Sequence, residues 1–360
     1  MRKLCVAICL ILLLSVDTAW GQTVPGELTD ALSPEAEQIL DSLGQRDFDH
    51  NALIQGLDRL WQLAWSGFGR LFQSGLGGAV LLLGVVLLCG VVDNMGQASD
   101  DNRENYVTLA GALVITVTTA GTFRSMTVMG MDALEQMDIF AKALLPTLAA
   151  AVAAGGGIVS ASVHQVLTVM FTNVLISAIR QLLPFVYLYV AVAVANAALP
   201  EHDLKGLRDG IAKAIKGVLT GLMVVFTAFL TLFGAVGTAA DAAALRLTKS
   251  AISAAVPVVG SIISDATESV LASAGILKNA VGVFGMLGVL AICLTPFLHL
   301  AVQYVLYKLS AFLSSVVGSG PLVELINALG TAFGLLLGMT GACAVLLLIS
   351  VASSVRVVIS

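Results

Sequence analysis

The sequence predicts an all-α, polytopic helical membrane protein, and both its composition and its apolar runs support this fold class. Hydrophobic residues make up 58% of the 360 residues and charged residues 11%, and the mean hydropathy is +0.96. Soluble domains contain about 45–50% apolar and about 25% charged residues. Apolar runs of about 20 residues, long enough to cross a bilayer as helices, recur along the chain. A soluble fold has no interior large enough to bury this much apolar surface.

Residues 1–21 are predicted to be a secretory signal peptide. Arg2 and Lys3 precede an apolar core from Leu4 to Val16, and small residues then mark a cleavage site before Gln22. The alternative is an anchor that stays uncleaved. In both cases we expect the N-terminal region of the mature chain to lie outside the cytoplasm.

Residues 22–74 are predicted to be an extracytoplasmic amphipathic helical region. Ser33 followed by Pro34 is typical of a helix start, with a capping serine and a proline at the first helical position. Apolar residues then follow helical spacing, and they include Trp61 and Trp65, a residue type that favours the membrane interface. Residues 50–73 therefore form either an interfacial helix or a helix docked on the protein's own spans.

Residues 75–360 are predicted to be the polytopic transmembrane domain, with about eight to ten apolar segments. These lie near 75–92, 106–123, 141–160, 163–182, 184–199, 217–236, 251–264, 276–294, 296–316 and 331–352. With the N-terminus outside, loop 94–105 is expected to be cytoplasmic and the acidic stretch 124–140 outside. The basic loop 200–216 is expected to be cytoplasmic, because basic residues favour that side. This orientation requires an odd number of crossings between 140 and 200, either three crossings or one crossing with a re-entrant hairpin.

A weak internal repeat of about 112 residues is also predicted, with repeats 106–216 and 217–330. Pro184 and Pro296 are each followed by phenylalanine, and Pro146 and Pro257, at nearly the same offset, each precede small residues. Repeats with interrupted helices at corresponding positions indicate a binding site in transporters. The broken-helix candidates are Pro146, Gly155, Gly156, Gly157, Pro184, Pro257, Gly260 and Pro296.

The charged residues Asp265, Glu268 and Lys278 are the candidates for lining a conduit. Charges at bilayer depth are costly and tend to face a bundle interior or a water-filled cavity. Asp265 and Glu268 are three residues apart and share a helix face, and a turn at Gly275 would bring Lys278 back towards them. The alternative is an interfacial helix with solvated charges. For His164, beside Gln165 at a predicted turn, a structural role is favoured over a proton relay.

The sequence contains no pattern that indicates an enzyme. It has neither a GxSxG nucleophile elbow nor an HExxH zinc motif. The cysteine spacing fits neither a metal site nor a disulfide framework, and no basic tract is suited to nucleic acid. We therefore expect no catalytic residues, no cofactor, no metal and no nucleic-acid partner.

The segment PVVGSIISDATESVL…LKNAVGVFG (257–285), together with FDHNALIQGLDRLWQ (48–62) before the first span, resembles the stage III sporulation protein AE family of endospore-forming bacteria. This resemblance implies a multi-pass protein of the mother-cell membrane that engulfs the forespore. It also implies membership of a multiprotein channel or secretion complex. The implied partners are the other membrane proteins of the same operon, ring-forming subunits, an associated ATPase, a forespore membrane protein across the intermembrane space, and the lipid bilayer.

The expected function is therefore that of a permease-like membrane subunit of a sporulation transenvelope complex. Two alternatives remain open from the residues. One is an autonomous, ion-coupled secondary transporter. The other is a membrane scaffold that assembles the ring subunits and transports nothing itself.

Overall fold

A computed structural model describes residues 26–42, 50–95, 101–199, 204–255, 260–316 and 320–356. Within these ranges every regular element is an α-helix. The helices are α1 (Gly26–Asp30), α2 (Pro34–Ser42), α3 (His50–Met95), α4 (Asp101–Ala154), α5 (Ile158–Ala198), α6 (Lys205–Ala255), α7 (Gly260–Ser314) and α8 (Gly320–Arg356). The predicted signal peptide and Pro257 lie outside the described residues.

Helices α3 to α8 are each long and apolar enough to cross a membrane. The shortest, α8, has 37 residues and the longest, α7, has 55. At 1.5 Å per residue even α8 is about 55 Å long, compared with about 30 Å for the hydrocarbon core of a bilayer. Each helix therefore extends beyond the hydrocarbon core. The apolar segments outnumber these six helices because neighbouring segments join, as 163–182 and 184–199 do within α5. Segment 141–160 is divided by the turn between α4 and α5, and segment 251–264 lies partly outside the described residues.

The helices continue through Pro146, Pro184 and Pro296, which are broken-helix candidates in the sequence. An internal proline removes one intrahelical hydrogen bond, and neighbouring helices can compensate for it in a packed bundle. The acidic stretch 124–140 is likewise the middle of α4. Between residues 158 and 198 the chain forms one continuous helix, without a re-entrant hairpin in that range.

The chain does turn at Gly155–Gly157, between α4 and α5. Gly156 has φ +87°, a left-handed conformation that glycine adopts without steric cost. The connection is short, so α4 and α5 pack as antiparallel neighbours. Aromatic contacts mark this pairing and the next ones, with ring centroids 5.4 Å apart for Phe123–Tyr187, 5.3 Å for Phe171–Phe226 and 4.9 Å for Tyr307–Phe333.

Helices α7 and α8 form the centre of the bundle. In the most apolar 18-residue stretch of each, 67% and 61% of the residues are buried, compared with 17% for α6 at the periphery. The first half of α3 packs on α7, where Leu53 and Leu60 are buried and a Cβ at Gly56 would lie 2.9 Å from the Leu287 side chain. The predicted boundary at residue 74 therefore falls inside one helix that docks on the protein's own spans.

The other face of this part of α3 is exposed. Trp61 and Trp65 stack on each other with ring centroids 6.4 Å apart, and they are 66% and 71% exposed. The docked helix therefore presents an aromatic surface away from the bundle, as an interfacial helix would.

The starts of α6 and α8 meet at one end of the bundle. Lys205 Nζ lies 2.7 Å from Glu324 Oε1, and Arg208 lies 3.9 Å from the other oxygen of the same carboxylate. Close by, Lys308 Nζ donates hydrogen bonds to the Asn327 side chain at 2.6 Å and to Thr331 Oγ1 at 2.8 Å. The basic segment at the start of α6 therefore lies at the same end as the connection between α7 and α8.

Candidate functional site

The first turn of α5 is capped by a carboxylate from a different helix. The first N–H groups of a helix have no intrahelical acceptor. Asp241 of α6 supplies one, because its Oδ1 accepts the Val159 N–H at 2.8 Å and its Oδ2 accepts the Ser160 N–H at 2.9 Å. Asp241 is only 2% exposed. A buried acid on α6 therefore holds the start of α5 directly after the glycine turn.

The helix itself balances the charge of this carboxylate. A helix N-terminus carries a partial positive charge that stabilises an anion close to it. No described lysine or arginine forms an ion pair with Asp241, so the two N–H groups are its observed partners. The approach of α6 depends on glycine, since a Cβ at Gly237 would lie 3.0 Å from Ser160 Oγ.

Below this cap, α5 carries a row of buried polar side chains. Ser160, His164, Thr168 and Thr172 are spaced four residues apart and are 0%, 4%, 0% and 2% exposed. This spacing places them on one side of the helix, over about 18 Å of its length. We call these four residues the polar face of α5. They point into the bundle, where Thr168 Oγ1 forms a hydrogen bond with Ser350 Oγ of α8 and His164 lies against Gly234 of α6.

An apolar section follows the polar face on the buried side of α5. Its members are fully or almost fully buried: Leu175, Ile176, Ile179 and Val186. We call these four residues the apolar block. Polar side chains return at Tyr189 and at Asn196, whose Oδ1 accepts the Leu204 N–H at 3.0 Å. The buried side of α5 is therefore polar at both ends and apolar in between.

The structure separates Lys278 from the two acids expected beside it. Helix α7 is continuous from Gly260, its first residue, through Gly275, so no turn brings Lys278 back. Thirteen residues of helix place Lys278 about 20 Å along the axis from Asp265. Lys278 itself is buried, at 8% exposed. Asp265 and Glu268 do lie three residues apart on one helix, and their side chains lie outside the described part of the structure.

A larger cavity of about 770 Å³ lies between α2, α4 and α7. Glu35, Arg124, Asp132 and Pro296 are among its lining residues. It contains charges of both signs and is open to the surroundings. Within the described ranges, no group of three or more His, Cys, Asp or Glu side chains is placed to hold a metal ion.

Asp241 is absent from the candidates predicted from the sequence, and of the polar face of α5 only His164 is among the residues discussed there. A signal for Asp241 was present, since it is a lone acid near the end of the apolar run of α6 and the rule applied to Asp265 applies equally to it. The polar face is harder to find. Serine and threonine are common in membrane helices, so a four-residue spacing stands out only when the burial of each position is known.

Comparisons with known proteins cover most of the chain. A family model described as stage III sporulation protein AE matches residues 46–357, a range that includes Asp241 and the polar face of α5. A protein of Bacillus subtilis (strain 168) named stage III sporulation protein AE is 24% identical over 255 residues. The alignment covers 71% of this chain but only 63% of that relative. No solved structure matches the chain.

Proposed function

Because the chain belongs to the stage III sporulation protein AE family, we propose that it is an integral membrane subunit of a channel or secretion complex between mother cell and forespore. Its place would be the mother-cell membrane that engulfs the forespore, which agrees with six helices able to cross a membrane. Its partners would be the other stage III operon membrane proteins, the ring-forming subunits with their ATPase, and a forespore membrane protein.

The polar face of α5 is the observation that supports a permease-like role. A row of buried hydroxyl and imidazole groups inside a membrane bundle is costly unless it is hydrated or hydrogen-bonded. The apolar block closes this row over the stretch between Thr172 and Tyr189. In the proposed mechanism the structure is the closed state of a conduit, and the conduit opens when the helices around the apolar block separate.

Helix α6 is the element best suited to move. Its most apolar stretch is only 17% buried, the lowest share among the six long helices, so displacing it removes less apolar contact than displacing α7 or α8. Its clearest polar attachment to α5 is the pair of hydrogen bonds from Val159 and Ser160 to Asp241. We therefore assign Asp241 the role of a latch that holds the closed arrangement.

The charged residues of α7 keep a separate place in the proposal. Lys278 is buried in the bundle, and Asp265 and Glu268 lie about 15–20 Å further along the helix. They would line or stabilise a different level of the conduit, so they form two groups instead of one charge cluster.

Purification of the tagged chain from sporulating cells in mild detergent tests the subunit role. We expect the ring-forming subunits and the ATPase to co-purify with it. Elution of the chain alone, together with substrate uptake by the pure protein in liposomes, would favour the autonomous transporter. The scaffold alternative predicts a complete complex and normal spore yield in an Asp241→Asn variant. The conduit predicts a complete complex with a reduced spore yield.

A further inference from the structure

A small cavity lies beside the polar face of α5, between α4, α5 and α8. His164, Gln165 and Ser354 supply its polar lining, and Leu145 and Leu148 of α4 are among its apolar walls. It offers about 10 Å³ of room for the centre of a water molecule. A site needs roughly 10–15 Å³ by this measure to hold one water. The cavity therefore has room for a single water molecule.

One side chain that lines this cavity, His164, has a buried atom without a described hydrogen-bond partner. His164 Nδ1 is buried and has no partner among the described residues, and the same holds for Ser160 Oγ one turn before it and Thr172 Oγ1 two turns after it. Buried polar atoms are nearly always hydrogen-bonded to protein or to ordered water. Ser160 and Thr172 do not line the cavity, so His164 Nδ1 is the unpartnered atom that indicates a small polar ligand in it.

Charge favours a neutral ligand over a cation. None of the residues that line the cavity carries a formal charge when His164 is neutral. The nearest acid on α6 is Asp241, and both of its oxygens already accept backbone N–H groups. A cation in the cavity would lack a carboxylate partner, whereas water can both donate and accept hydrogen bonds there.

We propose that the cavity is a binding site for one water molecule, held between His164 Nδ1 and Ser354 Oγ with Gln165 at its edge. Ser354 Oγ donates a hydrogen bond to the Ser350 carbonyl oxygen at 3.0 Å, so its lone pairs can accept a hydrogen bond from the water. The water in turn donates to or accepts from the imidazole. His164 then has a specific role as a hydration site, beyond the structural role predicted for it. This inference concerns the folded chain alone and goes beyond the proposed function.

Water contact with the histidine ring is measurable by nuclear magnetic resonance on histidine-labelled protein in lipid nanodiscs. The chain has four histidines, and a His164→Gln variant identifies the His164 signals. We expect magnetisation transfer from water to the His164 ring in the wild-type protein. The ring of His299 serves as the folding control, because its Nδ1 is tied to the Thr295 carbonyl at 2.9 Å, away from the cavity.

Two variants test the water site independently. Ser354→Ala removes a polar partner, and Ala149→Val fills the room with methyl groups from α4. Each should reduce the water signal at His164 at least twofold, while Ser353→Ala, a neighbour that does not line the cavity, should leave it unchanged. Absence of the water signal from the wild-type protein, or its retention at full strength in both variants with His299 unaltered, would overturn the proposal.

Discussion

The Oδ2 atom of Asp241 accepts the backbone N–H of Ser160 at 2.9 Å, although 81 residues separate the two in the chain. This contact joins the middle of the sequence to its glycine turn and ties α6 to α5. It also places the buried acid directly above the polar face of α5.

Replacing Asp241 with alanine should destabilise the protein. The change removes the only described side-chain cap of α5, and caps and charge-assisted hydrogen bonds are each worth about 1–2 kcal/mol. We expect the midpoint of thermal unfolding in detergent to fall by several degrees. Glu135→Ala, at an exposed acid of α4, is the matched control and should change it little. An unchanged midpoint for Asp241→Ala would show that the cap does not hold the junction.

Gly156→Ala should also destabilise the fold, because Gly156 has φ +87°. An alanine in this left-handed conformation costs about 1–2 kcal/mol. Gly221→Ala provides the opposite case, since a Cβ at Gly221 meets nothing within 4 Å inside α6 and alanine favours a helix by about 1 kcal/mol. Thermal unfolding of the two variants should therefore shift in opposite directions. A shift of the same sign and size in both would contradict the glycine turn.

Combined substitution of Asp265→Asn and Glu268→Gln should abolish spore formation while the protein stays in the membrane. These substitutions remove both charges with little change in side-chain shape, and the proposed conduit uses those charges. The measurement is spore yield after heat treatment, with membrane fractionation and immunoblotting as the control for insertion. A normal spore yield would remove the two acids from the proposed conduit.

Lys278 and Asp265 should act independently, because about 20 Å of continuous helix separates them. The stability effects of Lys278→Met and Asp265→Asn should add within about 0.5 kcal/mol in the double variant. The hydrogen-bonded pair Thr168 and Ser350 supplies the contrast. Thr168→Val and Ser350→Ala should be clearly non-additive when measured by the same unfolding assay. Strong coupling between Lys278 and Asp265 would contradict the continuous helix that separates them in α7.

The long apolar runs made the membrane fold predictable from the sequence, because a chain this apolar has few alternatives. The number of helices was less predictable. Pro184 and the acid Asp132 interrupt the apolar pattern without interrupting the helix, since packing against neighbouring helices outweighs the local preference. Gly155–Gly157 is different, because three consecutive glycines have neither helix propensity nor side chains with which to pack.

The candidate site was less predictable than the fold. The sequence directs attention to Asp265, Glu268 and Lys278, whereas the buried acid with described partners is Asp241. The partner of Asp241 is the backbone of a helix start about 80 residues away, and backbone groups leave no mark in a sequence. Only the tertiary arrangement of α5 and α6 identifies such a site.

Thiol accessibility along α5 tests the central claim, that its polar face lines a conduit, most directly. In a background lacking the native cysteines, Thr172→Cys lies on the polar face, and Val174→Cys, at a position 44% exposed on the outer surface, is the matched control. The account predicts that a membrane-impermeant thiol reagent labels Thr172→Cys in sporulating cells with the complete complex, and labels Val174→Cys much less. Equal labelling of both, or protection of Thr172→Cys throughout sporulation, would contradict it.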